Sequence, residues 1–179
     1  SVRTTPEASE LHGLMKRMRE AGVEACSMEV SSHALSLHRA DGLRFTAVGF
    51  TNLSQDHLDF HPTMEDYFLA KASLFSPERA DAGIVVVDDA WGRRLAAEAR
   101  IPVQTLSTTG QEADWRIEPD RVDPQAFVLH GPGTAVAARS PLPGDFNRSN
   151  TALAILLAHG LGYEMAAIAA VAERLEVRV

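Results

Sequence analysis

The fold class of this chain is decided by the stretch GIVVVDD, residues 83–89. A continuous apolar run that ends in two aspartates is typical of a strand buried on both faces, as in a parallel sheet with helices on each side. Residues 46–50 and 103–106 predict two further strands, and residues 64–75 and 90–100 predict the helices between them. This alternation of strands and helices indicates an α/β fold with a doubly wound, mostly parallel sheet.

The residues before this region predict one more helix and one more strand. We expect a helix over residues 6–21, with Thr5 as its N-cap, Pro6 at its first position and Gly22 as its stop. The apolar character of residues 23–30 predicts a buried strand.

The residues after this region change in character. Short strands separated by proline and glycine predict a small antiparallel β-meander over about residues 112–140, at the edge of the sheet. Two apolar helices follow, over residues 147–161 and 164–175. The length of 179 residues suits one domain, residues 1–179.

The composition excludes several classes of partner. The net charge of −7 argues against a nucleic acid or an acidic membrane surface, because both attract clustered lysine and arginine. No apolar run approaches the roughly 18 residues of a membrane span. Cys26 is the single cysteine, which we expect to be a buried, inert thiol, and the lack of an internal disulfide fits a cytoplasmic protein.

Two acidic and histidine positions are candidates for metal binding. Glu29 ends the predicted strand at its carboxyl side, where ligands bind in open α/β sheets, and the alternative is an N-cap or a salt bridge for the following turn. His57 lies in the loop after the second strand, close to Asp56, Asp59 and His61. Imidazole and carboxylates suit a divalent metal, and the alternative is a solvated polar loop.

Lys71 lies on a predicted helix between small and apolar neighbours. The residues alone favour a surface lysine that extends its amine to solvent. A partly buried lysine would instead have a lowered pKa, and its neutral amine could react with carbon dioxide to give a carbamate. Such a carbamate would offer oxygen ligands suited to Mg²⁺.

Hydroxyl and amide side chains mark two helix starts. Thr4 and Thr5 could bind an anion at the first helix, and Asn147 and Asn150 could contact the edge of a nucleotide base. Ordinary helix capping is the alternative in both places. It is the better interpretation for the threonines when only these residues are considered.

Three short stretches, taken together, are more specific for one protein family than any of them is alone. They are MEVSSH at 28–33, FTNLSQDHLD at 50–59 and AK at 70–71. In this order and spacing they resemble the central domain of the Mur ligase family, and most of all its MurE members. The resemblance extends from residues 4–6 to the stretch GDFNRSN at 144–150, so it covers almost the whole chain.

The resemblance implies an ATP-dependent ligase that adds the third amino acid to UDP-N-acetylmuramoyl-L-Ala-D-Glu in peptidoglycan synthesis. The γ-phosphoryl group of ATP would pass to a substrate carboxylate, and the amine of diaminopimelate or lysine would then displace the phosphate. Mg²⁺ would bridge the phosphates. The implied site residues are Glu29 and His57 for the metal, Lys71 as the catalytic carbamate, Thr4, Thr5, Ser31 and Arg39 for the UDP-linked dipeptide, and Asn147 and Asn150 for the nucleotide.

The chain also departs from the family pattern. Leu37 stands where some relatives have a glutamine, and no phosphate-cradling glycine loop with a lysine precedes Glu29. We therefore expect the central part of a three-domain enzyme, without the phosphate-loop strand before Ser1 and the ligase domain after Val179. The isolated chain should be inactive, and its incomplete sheet could favour an exchanged dimer.

Three alternatives remain at this point. The first is another ligase of the same superfamily, such as folylpolyglutamate synthase. The second is a metal-dependent hydrolase built on Asp56, His57, Asp59 and His61. The third is a non-catalytic interaction module that keeps the scaffold.

Overall fold

The computed structural model describes residues 4–54 and 60–175. The strands within these ranges are β1 (Phe45–Phe50), β2 (Ala80–Val86), β3 (Val103–Ser107), β4 (Trp115–Pro119), β5 (Ala126–Gly131) and β6 (Thr134–Arg139). They form one sheet in sequence order, in which β1 to β4 run parallel and β4 to β6 run antiparallel. The predicted α/β fold with a mostly parallel sheet and an antiparallel meander is confirmed. The meander continues the main sheet, because Leu106 of β3 pairs with Trp115 of β4.

Helices cover both faces of the sheet, as expected for a doubly wound fold. They are α1 (Ala8–Glu20), α2 (Ser32–Ser36), α3 (Met64–Ala72), α4 (Ala90–Glu98), α5 (Asp145–Gly160) and α6 (Met165–Ala172). Val85 lies in the core formed with α3 and α4, while its neighbours Ile84 and Val86 lie in the core formed with α5 and α6. None of the helices in the described part of the chain is long and apolar enough to span a membrane.

The prediction of a buried strand over residues 23–30 is wrong. These residues form neither a strand nor a helix, and most of their side chains are exposed, including Val23 and Cys26. A strand needs a hydrogen-bonding neighbour, and within the described ranges β1 pairs only with β2. The expected burial of Cys26 fails for the same reason, and only Val30 at the end of the run packs against the core.

The first helix begins two residues later than predicted. Glu7 is the N-cap of α1, and its side chain does not cap the helix. The hydroxyl of the predicted cap Thr5 bonds to the carbonyl oxygen of Glu29 instead. The predicted stop at Gly22 is confirmed. Gly22 has a φ of 76°, and the amides of Gly22 and Val23 bond to the carbonyls of Arg19 and Met18. This pattern satisfies the last carbonyls of a helix.

Candidate active site

The carboxyl ends of the parallel strands form one edge of the sheet. Helix α5 begins near the same edge, because β6 runs in the direction of β4 after two antiparallel steps. Leu153 of α5 packs on Gly49, close to the end of β1. The first turns of α5, which carry Asn147 and Asn150, therefore extend beyond the carboxyl end of β1.

Two adjacent carboxylates after β2 hold the loops at this edge. Asp88 accepts hydrogen bonds from the hydroxyls of Ser107, Thr108 and Thr109, at 2.8, 2.6 and 3.0 Å. Asp89 accepts one from the amide of Gly92 at 2.6 Å, which caps α4, and one from the amide of Leu53 at 3.3 Å. The sequence pattern predicted this pair only as the end of a strand. Two aspartates directly after a buried apolar run were the available signal for a structural role.

Asp88 gives a prediction about stability and pH. Burial raises the pKa of its carboxyl, but hydrogen bonds from Thr108 and Ser107 outweigh that effect and hold the pKa below its ordinary value of 3.8. Between the lowered pKa and 3.8 the folded chain binds fewer protons than the unfolded chain, so the carboxylate stabilises the fold fully above this range. That contribution is lost as the pH falls through the lowered pKa.

We expect Asp88→Asn to lower the free energy of unfolding at about pH 7 by roughly 1 kcal/mol or more, because the carboxylate accepts several charge-assisted hydrogen bonds while remaining partly exposed. The difference from wild type should shrink at about pH 3. Urea denaturation at both pH values measures it, with Glu24→Gln as the control because Glu24 is exposed and makes no hydrogen bond or ion pair with another described residue. A loss of equal size at both pH values would contradict the role given to the ionised carboxylate.

Thr5 connects the start of the chain to the residues around Glu29. Its hydroxyl donates to the carbonyl oxygen of Glu29 at 3.0 Å and accepts from the amide of Ser31 at 3.1 Å. Thr5 is only 1% exposed. Ser31 in turn caps α2, since its Oγ accepts from the amide of Ala34 at 3.2 Å. Helix α2 was not predicted from the sequence.

Arg39 follows α2 in the chain and contacts the same group of residues. Its side chain is 11% exposed, with Nη2 3.1 Å from Oε1 of Glu7 and Nη1 3.5 Å from the carbonyl oxygen of Thr5. The Arg39 Nε is buried without a hydrogen-bond partner among the described residues. The structure thus brings Thr5, Ser31 and Arg39 together with the backbone of Glu29, while Thr4 lies exposed beside them. The substrate-binding roles of these residues stay predictions.

Lys71 lies in the last turn of α3 and is half-buried, so it is not the fully solvated side chain that its neighbours in sequence suggest. Burial lowers the pKa of its amine, and the charge of Glu29 partly opposes that shift. The Lys71 Nζ lies 5.4 Å from the ring centre of Tyr67. The charge of Glu29 therefore acts on Lys71, and the ring of Tyr67 lies beside the Lys71 amine.

His61 packs against the ring of Tyr67 and is 3% exposed. Its Nε2 is 2.9 Å from Oγ of Ser32, and its ring stacks on Tyr67 with centres 5.0 Å apart. The hydrolase alternative requires His61 as a metal ligand. The burial and stacking of its ring argue against that role. His57, with Asp56 and Asp59, lies outside the described residues. Among the residues that are described, no group of three or more His, Cys, Asp or Glu side chains could hold a metal ion.

Asn147 and Asn150 line a cavity of about 320 Å³ between α5, α6 and the turn before α5. Most of the lining is apolar, with Ile155, Ile168 and Leu175 on its walls. The side-chain amide of Asn147 donates to the carbonyl oxygen of Pro143 at 2.7 Å. It does not cap α5, because the N-cap is Gly144 and no side chain makes a capping hydrogen bond there. The cavity nevertheless offers amide groups beside an apolar space, an arrangement that suits a flat heterocycle.

The sequence pattern of the Mur ligase middle domain matches residues 1–158. The chain belongs to the Mur ligase family. It is 53% identical over 178 residues to a UDP-N-acetylmuramyl-tripeptide synthetase of Leifsonia xyli, covering 97% of this chain and 35% of that protein. It is also 53% identical over 173 residues to a UDP-N-acetylmuramoyl-L-alanyl-D-glutamate--2,6-diaminopimelate ligase of Streptomyces coelicolor, covering 93% of this chain and 34% of the relative. The chain thus spans about a third of the length of these relatives.

Solved structures of Mur ligases agree with this assignment. A UDP-N-acetylmuramoyl-L-alanyl-D-glutamate--2,6-diaminopimelate ligase superposes with a TM-score of 0.88 at 29% identity, over 98% of this chain and 37% of the other. MurF from Acinetobacter baumannii superposes with a TM-score of 0.61 at 22% identity, over 74% of this chain and 29% of the other, which indicates a shared fold only. The resemblance inferred from the sequence is confirmed at the level of the family and of its central-domain fold.

Proposed function

We propose that this chain is the central domain of an ATP-dependent Mur ligase that joins diaminopimelate to UDP-N-acetylmuramoyl-L-Ala-D-Glu. The observation that carries the proposal is the assembly of Thr5, Glu29, Ser31 and Arg39, with the charge of Glu29 acting on Lys71. The printed names of the relatives, several of which are diaminopimelate ligases, support this amino acid over lysine. The proposal concerns the complete gene product, since the chain corresponds to about a third of those relatives.

The proposed reaction has two steps. A carboxylate oxygen of the dipeptide attacks the γ-phosphorus of ATP, which forms an acyl phosphate and releases ADP. The amine of diaminopimelate then attacks the carbonyl carbon, the bond to the phosphate oxygen breaks, inorganic phosphate leaves and the amine loses a proton. Both steps bring anions together, so the main task of the protein is to hold the reactants and offset their charge.

The described residues have distinct parts in this proposal. The UDP-linked dipeptide is oriented beside α2, where Glu7 already anchors the guanidinium of Arg39, by Thr4, Thr5, Ser31 and Arg39. Asn147 and Asn150 contact the adenine of ATP in the cavity beside α5. ATP and a UDP-linked substrate are both cytoplasmic metabolites, so we propose that the reaction takes place in the cytoplasm.

Mg²⁺ is part of the proposal because the donor chemistry suits it. The Glu29 carboxylate is a hard oxygen ligand, and Lys71 would add carbamate oxygens after its neutral amine adds carbon dioxide and releases a proton. His57 is the further ligand that the family resemblance implies. When bound, Mg²⁺ supplies positive charge that stabilises the phosphates during transfer. Glu29 and Lys71 themselves hold and orient the ion.

A substrate panel tests the function. We expect the complete gene product to release ADP over many turnovers only when ATP, UDP-N-acetylmuramoyl-L-Ala-D-Glu and diaminopimelate are all present, because the acyl phosphate forms on the dipeptide and must be consumed by the amine before the next cycle. Coupled measurement of ADP release gives the rates. Replacing the dipeptide and amino acid by a folate and glutamate tests the folylpolyglutamate alternative. Turnover with the folate pair, or phosphate release that needs no amino acid, would contradict the proposal.

The expected exchanged dimer remains a prediction. In the described part of the sheet, β1 is an edge strand whose outer side has no neighbour. Exposed strand edges favour pairing with another chain. Sedimentation of the chain at high concentration measures its oligomeric state.

A further inference from the structure

We propose that His61 is a positioning residue that joins the start of α2 to the part of α3 that carries Lys71. The inference rests on the proposed function, in which Ser31, the N-cap of α2, binds the UDP-linked dipeptide and Lys71 holds Mg²⁺. It gives a buried histidine an indirect part in the reaction, through the residues that it contacts.

The polar contact of His61 carries the first step. Its Nε2 lies 2.9 Å from Oγ of Ser32, the first residue of α2. Both side chains are buried, at 3% and 2% exposure. Burial of a polar group is costly unless the group is hydrogen-bonded, so this pair favours the placement of α2 in which the two groups face each other. Ser32 follows Ser31 directly, and the contact therefore also holds the backbone of Ser31.

The ring of His61 carries the second step. It stacks on the ring of Tyr67, with the two planes only 16° apart. Tyr67 is buried in α3 one helical turn before Lys71, and the Lys71 Nζ lies 5.4 Å from the centre of the same ring. Stacked rings prefer a few relative placements, so His61 restricts the movement of the ring beside the Lys71 amine.

The position of His61 in the chain carries the third step. His61 precedes α3, and Ser32 lies 29 positions earlier, so local sequence does not place α2 beside α3. Phe60 and His33 complete the packing, with ring centres 4.9 and 5.7 Å from that of His61. These contacts join two buried segments directly, and we expect the same geometry in the complete gene product.

Hydrogen exchange in the complete gene product tests the two contacts without any activity. His61→Phe keeps an aromatic ring but removes the nitrogen, so the Ala34 amide, which Ser31 caps, should exchange at least about fivefold faster. The Lys71 amide, whose helical partner is the Tyr67 carbonyl, should keep its rate. His61→Gln keeps a polar group near the position of Nε2 but removes the ring, and it should show the opposite pattern. Equal changes at both amides in both variants, or none, would overturn the inference.

Kinetics of the complete gene product test the consequence for the reaction. His61→Phe should raise the KM for the UDP-linked dipeptide by about fivefold or more, because it removes a hydrogen bond that holds the start of α2. His61→Gln should instead raise the Mg²⁺ concentration for half-maximal rate by about tenfold or more, as is typical when a group that orients a metal ligand is lost. Each variant restores what the other loses, which a merely structural histidine would not produce. The same loss in both variants would contradict the proposal.

His130→Phe is the matched control. His130 pairs with Glu118 at 2.9 Å on the antiparallel strands rather than at α2 or α3. This variant should leave both amide exchange rates, the KM and the Mg²⁺ dependence unchanged. A change like that of His61→Phe would show that loss of any histidine ring nitrogen has this effect, and would count against a specific role of His61.

Ser32→Ala tests the same hydrogen bond if His61→Phe does not fold. It removes the other partner while the His61 ring stays in place, so it should raise the KM and speed exchange of the Ala34 amide without changing the Mg²⁺ dependence. Where both variants fold, their combination should be no worse than either alone, since residues that act through one contact are not additive. Wild-type values in Ser32→Ala would overturn the inference.

The exchange measurement also separates this inference from the proposed function. If the wild-type protein shows no ligation, the proposed function fails. The crossed pattern at the Ala34 and Lys71 amides still decides whether His61 joins α2 to α3.

Discussion

Lys71→Ala in the complete gene product should lower the rate of ADP release by roughly 100-fold or more, the loss typical of removing one preorganised electrostatic group from an active site. Lys71 is half-buried, its amine has a lowered pKa because of burial, and it interacts with Glu29. A lowered pKa increases the share of neutral amine, which is the form that the proposed carbamylation needs, and the resulting anionic group would hold Mg²⁺. Alanine cannot form the carbamate.

The chain provides its own control for this substitution. Lys16 and Lys71 are its two lysines, and Lys16 is an exposed residue of α1 beside Glu20. Lys16→Ala should leave the rate unchanged. Spectra recorded with isotopically labelled bicarbonate should contain one carbamate signal that persists in Lys16→Ala and disappears in Lys71→Ala. Full activity of Lys71→Ala would remove this residue from the proposed mechanism.

Gly92→Ala should destabilise the chain by about 3 kcal/mol or more, the upper end of the usual effect of overpacking. Gly92 lies in the first turn of α4, where the helix crosses the end of β2, and a Cβ at this position would overlap the carbonyl oxygen of Val86. The obstacle is backbone within the sheet, so it cannot rotate away as a side chain would. Separation of α4 from β2 would also disturb the core around Leu95.

Gly13→Ala is the matched control for that prediction. Gly13 lies inside α1, and a Cβ there would meet only Arg17 at 3.6 Å, an ordinary contact. Alanine should stabilise the chain by about 0.5–1 kcal/mol, because glycine loses more backbone freedom when a helix forms. Urea denaturation of both variants gives the two values. Shifts of the same sign would contradict the close approach of α4 to β2.

Sequence patterns predicted the structure correctly where a residue's neighbours in sequence are also its partners in space. The apolar run of β2 predicted a doubly covered strand, and residues 64–75 predicted a helix where α3 (Met64–Ala72) lies. The strand expected over residues 23–30 failed, because an apolar run does not specify which strand it pairs with. The predicted cap at Thr5 failed because its hydroxyl bonds to residues far along the chain.

The candidate site shows the same limit. The flanks of Lys71 suggested a surface side chain, since nothing in its helix indicates that Glu29 lies nearby. The family resemblance supplied that pairing through order and spacing. The carboxylates of Asp88 and Asp89 were missed as structural elements, because their partners come from the segments after β1 and β3.

The adjacent pair Asp88 and Asp89 has a mechanical consequence. These two neighbouring residues bind the segment after β1 through the amide of Leu53 and the segment after β3 through Thr108, and they also cap the start of α4. These three segments are consequently attached to the same point of the backbone. A strain applied to either outer segment is transmitted to the other through two neighbouring Cα atoms, so the edge of the sheet responds to load as a unit.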